Sequence, residues 1–158
     1  MRVFLDTCVL LDIISRRSGF EESLKILVPQ LFGDVELCVS SKSYTDIFFI
    51  MNKHAESSQI QDAFLASEKY FNLCSVDSTM IAEAANRKWD DFEDCLIAIG
   101  AENVAADYLL TRDANGFKNS TVPAITPNEF MHVLKDNLQI TYHYSPDINS
   151  RELASMTE

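Results

Sequence analysis

The chain predicts an α/β protein in three layers, with helices flanking a mainly parallel sheet of about five strands. Short β-rich runs alternate with stretches of helical apolar spacing along most of its length. Most of those runs end in an acid, serine or threonine that can open the next helix. At 158 residues, 47% of them apolar or aromatic, the chain suits one domain with a proper core.

The first run, Arg2-Val-Phe-Leu, ends at Asp6, and Val9, Leu10, Ile13 and Ile14 then mark a helix. A helix over Phe20–Phe32, carrying Leu24, Ile26, Leu27 and Leu31, is closed by Gly33 before the second run, Glu36–Val39. Ser40 and Ser41 look like a cap for a helix over Lys42–Asn52, and another helix spans about Gln59–Tyr70. The third run, Phe71–Val76, leads to a helix begun by Asp77 and Ser78, and then to the stretch WDDFEDCLIAIGA from Trp89. Tyr108–Thr111 is a fourth run, followed by a loop through Asn115, Gly116 and Phe117. A fifth strand, Val122–Ile125, precedes a helix from Pro127 to about Asp136 with Thr126 as its cap. Residues 1–137 are thus expected to form one domain. Residues 138–158 would be a flexible tail with an added strand at Gln139–Tyr144.

No run approaches the roughly 20 apolar residues of a membrane span, and an acid at position 6 comes too early for a signal peptide. A cytoplasmic protein without membrane contact is expected. Cys8, Cys38, Cys74 and Cys95 lack paired spacing, so buried free thiols are expected rather than zinc or disulfides. His54, His132 and His143 fall in no ligand pattern, so a metal here would be held by oxygen. The formal charge of −11 argues against simple coating of nucleic acid, but not against a nuclease whose carboxylates carry cations.

Acids cluster where strands end, the edge at which open α/β sheets bind ligands. Asp6 ends the first strand and Asp113 follows the fourth. Asp91 and Asp94 share a face at the head of a helix, continued by the small residues Ala98, Ala101 and Ala105, with Phe92, Leu96 and Ile99 as the adjoining packing stripe. Asp46 sits among Tyr44, Ile47 and Phe48, and Thr111 offers a hydroxyl beside Asp113. Each has a plain alternative: Asp6, Asp91 and Asp94 as helix caps, Asp113 as a turn residue, Asp46 on a solvent face, Thr111 as strand material. Taken together they point to carboxylates that need a hard cation, Mg2+ or Mn2+, and so to phosphodiester hydrolysis.

The segments FLDTCVLLD (Phe4–Asp12), SKSYTDIFFI (Ser41–Ile50), DFEDCLIAIGA (Asp91–Ala101), ADYLLTRDANGF (Ala106–Phe117) and VPAITPNEF (Val122–Phe130) resemble, in order and spacing, the PIN domain family. That resemblance implies a metal-dependent ribonuclease fold common among toxins of toxin–antitoxin pairs. Asp6, Asp94 and Asp113 match its central, metal-holding acids, with Asp91 auxiliary and Thr111 the hydroxyl before the last acid. Asp46, like Asp91, is expected to orient the ion or its waters, and two positions depart from the usual pattern: Cys8 stands where Asn is usual, and Asp46 where many members carry Glu.

The resemblance implies an endoribonuclease using Mg2+ or Mn2+, an RNA substrate, an antitoxin partner and a homodimer as a compatible assembly. The alternative, which the two departures and the acidity favour, is a catalytically weak or inactive PIN-like module that binds RNA or protein. Arg16, Arg17, Lys42, Arg112 and Lys118 are candidates for phosphate contact or ordinary surface charges. A phosphoacceptor receiver fits poorly because no Lys ends the fifth strand, and a haloacid dehalogenase would need a second Asp at position 8.

Overall fold

The computed structural model describes residues 1–139 and 141–142, and only the backbone of residue 138. Strands β1 (Arg2–Leu5), β2 (Glu36–Ser40), β3 (Asn72–Cys74), β4 (Tyr108–Leu110) and β5 (Ala124–Ile125) form one sheet in the order β3-β2-β1-β4-β5. Every pairing is parallel. From β1 the chain builds outward through β2 and β3, then returns to place β4 on the other side of β1. The strand order therefore switches between β1 and β4, and the edge beyond their C-terminal ends is where open α/β sheets form a ligand crevice.

Alternation along the strands assigns side chains to two cores. Val3, Leu5, Leu37, Val39 and Leu110 face one layer, while Phe4, Cys38 and Leu109 face the other. The first layer comprises α1 (Thr7–Ser15), α2 (Phe20–Lys25), α3 (Leu27–Leu31), α4 (Ser41–Met51), α5 (Ser57–Ser67) and α8 (Pro127–Leu138). The second is α7 (Phe92–Asn103), backed by α6 (Ser78–Arg87). Ile97, Ala98 and Ala101 of α7 meet the sheet, and Cys95, Leu96 and Ile99 meet Met80 and Ala84 of α6. A Cβ at Gly100 would fall 2.8 Å from Phe4 Cζ, so glycine lets α7 lie close to β1.

The expected three-layer α/β fold is present, with corrections of detail. The single helix expected over Phe20–Phe32 is broken at Ile26. Pro29 has no N–H to give the carbonyl four residues back, so the helix restarts with Pro29 in the first turn of α3. Ala105 does not continue the small face of α7. It is exposed beyond the helix end, at a φ of 50°. Phe92 is 43% exposed and leaves the packing stripe to Leu96 and Ile99. Thr126 caps α8 in a capping box with Glu129. Gln139, Thr141 and Tyr142 form no strand, and the rest of the strand expected at Gln139–Tyr144 lies outside the described residues. No helix among the described residues is long and apolar enough to cross a membrane.

Candidate active site

Asp6 follows β1, and its N–H donates to the Leu110 carbonyl of β4 at 2.9 Å, fixing it at the switch point. Although Asp6 is the cap residue of α1, its side chain makes no capping bond. Its Oδ2 instead accepts from the Thr111 hydroxyl at 2.7 Å and the Cys8 thiol at 2.9 Å. Asp6 is 8% exposed and Thr111 fully buried. The Thr111 hydroxyl also accepts from the Asp113 N–H at 3.0 Å, so one oxygen couples the loop after β4 to the acid after β1. The exposed Asp113 accepts from the Asn115 N–H at 3.1 Å, closing a turn as its plain alternative anticipated.

Asp91 caps α7, accepting from the N–H groups of Glu93 at 2.8 Å and Asp94 at 3.1 Å. Capping leaves Asp94 free to point at the crevice. Burial first, and then the negative fields of Asp91, Asp6, Glu93 and Asp113, together push its carboxyl up to about 6. The Asp113–Gly116 turn closes directly on Asp94: a Cβ at Gly116 would overlap Asp94 Oδ2. Asp6, Asp91, Glu93 and Asp113 thus surround the Asp94 carboxyl, with Thr111 bracing Asp6 and Asp113.

Asp46 sits to one side of this group. It is joined to Lys42 one helical turn earlier by a short ion pair, and Lys42 Nζ also lies 3.6 Å from Glu93 Oε2. Burial raises the Glu93 carboxyl, with the positive charge of Lys42 opposing that rise and the negative charge of Asp46 adding to it, and the Thr7 and Ser43 hydroxyls pair at 2.8 Å. Glu93 and the pairing role of Lys42 are the contributors that sequence reasoning missed. The four-residue spacing of Lys42 and Asp46 on one helix was the available signal.

Cys8 is only partly exposed, and burial followed by the Asp6 charge pushes its thiol up to about 12. It serves as a hydrogen-bond donor to Asp6, not as a nucleophile. Cys74 also departs from the expected burial, being partly exposed, whereas Cys38 and Cys95 are buried; all four thiols are free.

A further buried acid lies in the second half of α1. Asp12 is fully buried and receives Arg112 Nη1 at 3.0 Å on each oxygen and Arg17 Nε at 2.6 Å. Arg112 also donates to the Ser18 carbonyl at 3.0 Å. Two of the residues considered for phosphate contact are therefore engaged by Asp12.

The donors around Asp94 are carboxylate oxygens, and among the described residues no Lys or Arg forms an ion pair with Asp6, Asp94 or Asp113. Their chemistry fits a hard divalent cation, which would relieve the repulsion that raises Asp94. As the side chains lie, no group of three or more His, Cys, Asp or Glu among the described residues converges tightly enough to hold a metal ion. The acids form a negative field open to a cation, not a closed shell.

A parallel sheet with an acidic crevice at its switch point defines a class of α/β proteins that handle charged ligands at that edge. Family comparison resolves the class: a PIN domain matches residues 2–115, and the chain belongs to the PIN domain family. That span contains Asp6, Asp46, Asp91, Asp94, Thr111 and Asp113. The fold is similar to VapBC2 from Rickettsia felis bound to a promoter DNA fragment, at a TM-score of 0.60 and 16% identity, over 80% of this chain and 98% of that one. It is also similar to VapC20 of Mycobacterium tuberculosis, a toxin that cleaves the sarcin-ricin loop (TM-score 0.59, 10% identity, 72% and 92% covered). A toxin–antitoxin complex from Klebsiella pneumoniae gives a TM-score of 0.57 at 23% identity, covering 79% and 97%. Comparison with curated proteins finds no match.

Proposed function

We propose that this PIN domain protein is a metal-dependent endoribonuclease that hydrolyses RNA phosphodiester bonds as the toxin of a toxin–antitoxin pair. The observation that carries the reading is geometric: Thr111 ties Asp6 to the Asp113 loop, the turn at Gly116 closes on Asp94 Oδ2, and no Lys or Arg among the described residues forms an ion pair with these three acids. Such a cluster of acids is costly for the free protein and suits a bound cation. Asp6, Asp94 and Asp113 would hold Mg2+ or Mn2+. When bound, such an ion activates water and neutralises charge on the scissile phosphate.

The chain's own residues supply the positioning. Thr111 holds Asp6 and the Asp113 backbone in register, Asp91 caps α7 so that Asp94 stays forward, and Gly116 admits the turn against it. Arg16, with its guanidinium 5.8 Å from the Phe20 ring centre, and Lys118 remain candidates for contact with the RNA backbone. The antitoxin is proposed by likeness to the toxin–antitoxin structures, and a cytoplasmic setting and homodimer accompany that reading. Residues 1–137 are proposed as the PIN-like domain.

The test is cleavage of a mixed RNA pool by the pure protein in EDTA, Mg2+ or Mn2+, beside Asp6→Asn and Asp94→Asn. Metal-dependent cutting that falls at least about 100-fold in both variants is expected. Full activity in both would defeat the assignment. A catalytically weak or inactive RNA- or protein-binding module is the second reading, favoured by the Cys8 bond to Asp6. RNA retention without cutting under any metal would select it.

A further inference from the structure

The acidic crevice is divided by an internal cation. On one side Asp6, Asp94 and Asp113 form no ion pair with a Lys or Arg among the described residues. On the other, the ammonium of Lys42 contacts Asp46 in a short ion pair and lies 3.6 Å from Glu93 Oε2. The Lys42 side chain is 29% exposed and that of Asp46 is 27% exposed, so this contact is partly shielded from the solvent that weakens surface pairs. Both acids belong to elements that also shape the crevice: Asp46 is on α4, and Glu93 is next to Asp94 on α7. Thr7, next to Asp6, and Ser43, next to Lys42, join the two sides through a hydroxyl pair at 2.8 Å.

We infer that Lys42 is a resident counter-cation that withdraws Asp46 and Glu93 from metal binding and confines the crevice to a centre on Asp6, Asp94 and Asp113. This rests on the proposed metal-dependent reading, and it concerns where the cation can go. An ammonium paired with Asp46 and 3.6 Å from Glu93 supplies both with positive charge, without the dehydration that a divalent ion would require there. Lys42 therefore limits how many cations the crevice holds. It is a positioning residue and makes no contact with the acids proposed to hold the metal.

The experiment is a Mn2+ titration of the full chain followed by electron paramagnetic resonance, comparing wild type with Lys42→Met, Lys42→Gln and Lys42→Arg. Circular dichroism monitors folding, and the two neutral variants keep the test usable if one fails to fold. Each neutral variant is expected to bind one additional Mn2+ per chain, the gain disappearing when Asp46→Asn is added, while Lys42→Arg keeps the wild-type count. An unchanged count in the neutral variants, or an equal gain in Lys42→Arg, overturns the inference. RNA cleavage is scored separately. A gain in bound Mn2+ without cleavage by any form supports the counter-cation and defeats the nuclease reading; metal-dependent cleavage with unchanged counts does the reverse.

Discussion

Helix α1 carries a buried acid at its N-cap and another in its second half, and the two are treated in opposite ways. Asp12, fully buried, is held by two arginines through three nitrogen–oxygen contacts. Asp6, 8% exposed, receives a hydroxyl and a thiol but no ion pair among the described residues. A carboxylate neutralised by its own chain is part of the framework. One that is buried and hydrogen-bonded but without an ion pair fits the proposed role of holding a cation. Arg112 links the two: its side chain grips Asp12 while its neighbours in sequence, Thr111 and Asp113, serve the crevice.

The sharpest break in that comparison comes from substituting each acid by its amide. Asp12→Asn places an amide NH2 against arginine N–H groups in a fully buried position, where only one oxygen remains to accept. Breaking a buried pair costs roughly 3–5 kcal/mol, reduced here to about 3 because Arg17 and Arg112 can turn towards water. At this chain length that lowers Tm by about 6–12 °C, measurable by thermal melting. Asp6→Asn keeps an oxygen for the Thr111 and Cys8 donors and should leave Tm within about 2 °C of wild type. Equal losses in the two variants would erase the distinction between framework and functional acid.

A smaller effect is expected at Gly116. Its alanine variant sets a methyl group against Asp94 Oδ2, so either the carboxylate rotates or the Asp113 turn lifts. Cleavage should fall about tenfold, with the Mn2+ dependence shifted to higher concentration, while folding persists because the turn is at the surface. Unaltered metal dependence would mean that the turn does not position the acids.

The fold was legible because its evidence is local: apolar runs, caps and the return of β-rich segments at regular intervals. The helix break at Ile26 was readable too, since Pro29 stands in the sequence, but helical spacing outweighed it. At the site, the residue types were legible and their states were not. Asp6 and Asp91 both precede helices, yet Asp91 caps its helix and Asp6 does not. The difference arises from Thr111 and Cys8, and Thr111 lies 105 positions from Asp6. Asp12 carried no local sign that it would meet Arg112, 100 positions away. Spacing rules describe neighbours on one element, and ion pairs between elements require the fold.

The smallest effect tests whether Asp94 is strained by its surroundings. Its carboxyl is raised from 3.8 to about 6 by burial and by neighbouring acids. Between those pH values the folded chain binds more protons than the unfolded one, so this group's contribution to stability declines as pH rises from about 4 to 6. Above that range the ionised Asp94 is a liability, on the order of 1 kcal/mol once solvent screening is allowed for. In EDTA at pH 8, Asp94→Asn should therefore melt about 2–4 °C above wild type, with the advantage gone at pH 4. Adding Mn2+ should raise the wild type and narrow the gap, because the cation stabilises the ionised acids that the variant lacks. A variant that melts lower than wild type at pH 8 without metal would show that Asp94 supports the framework, as Asp12 does.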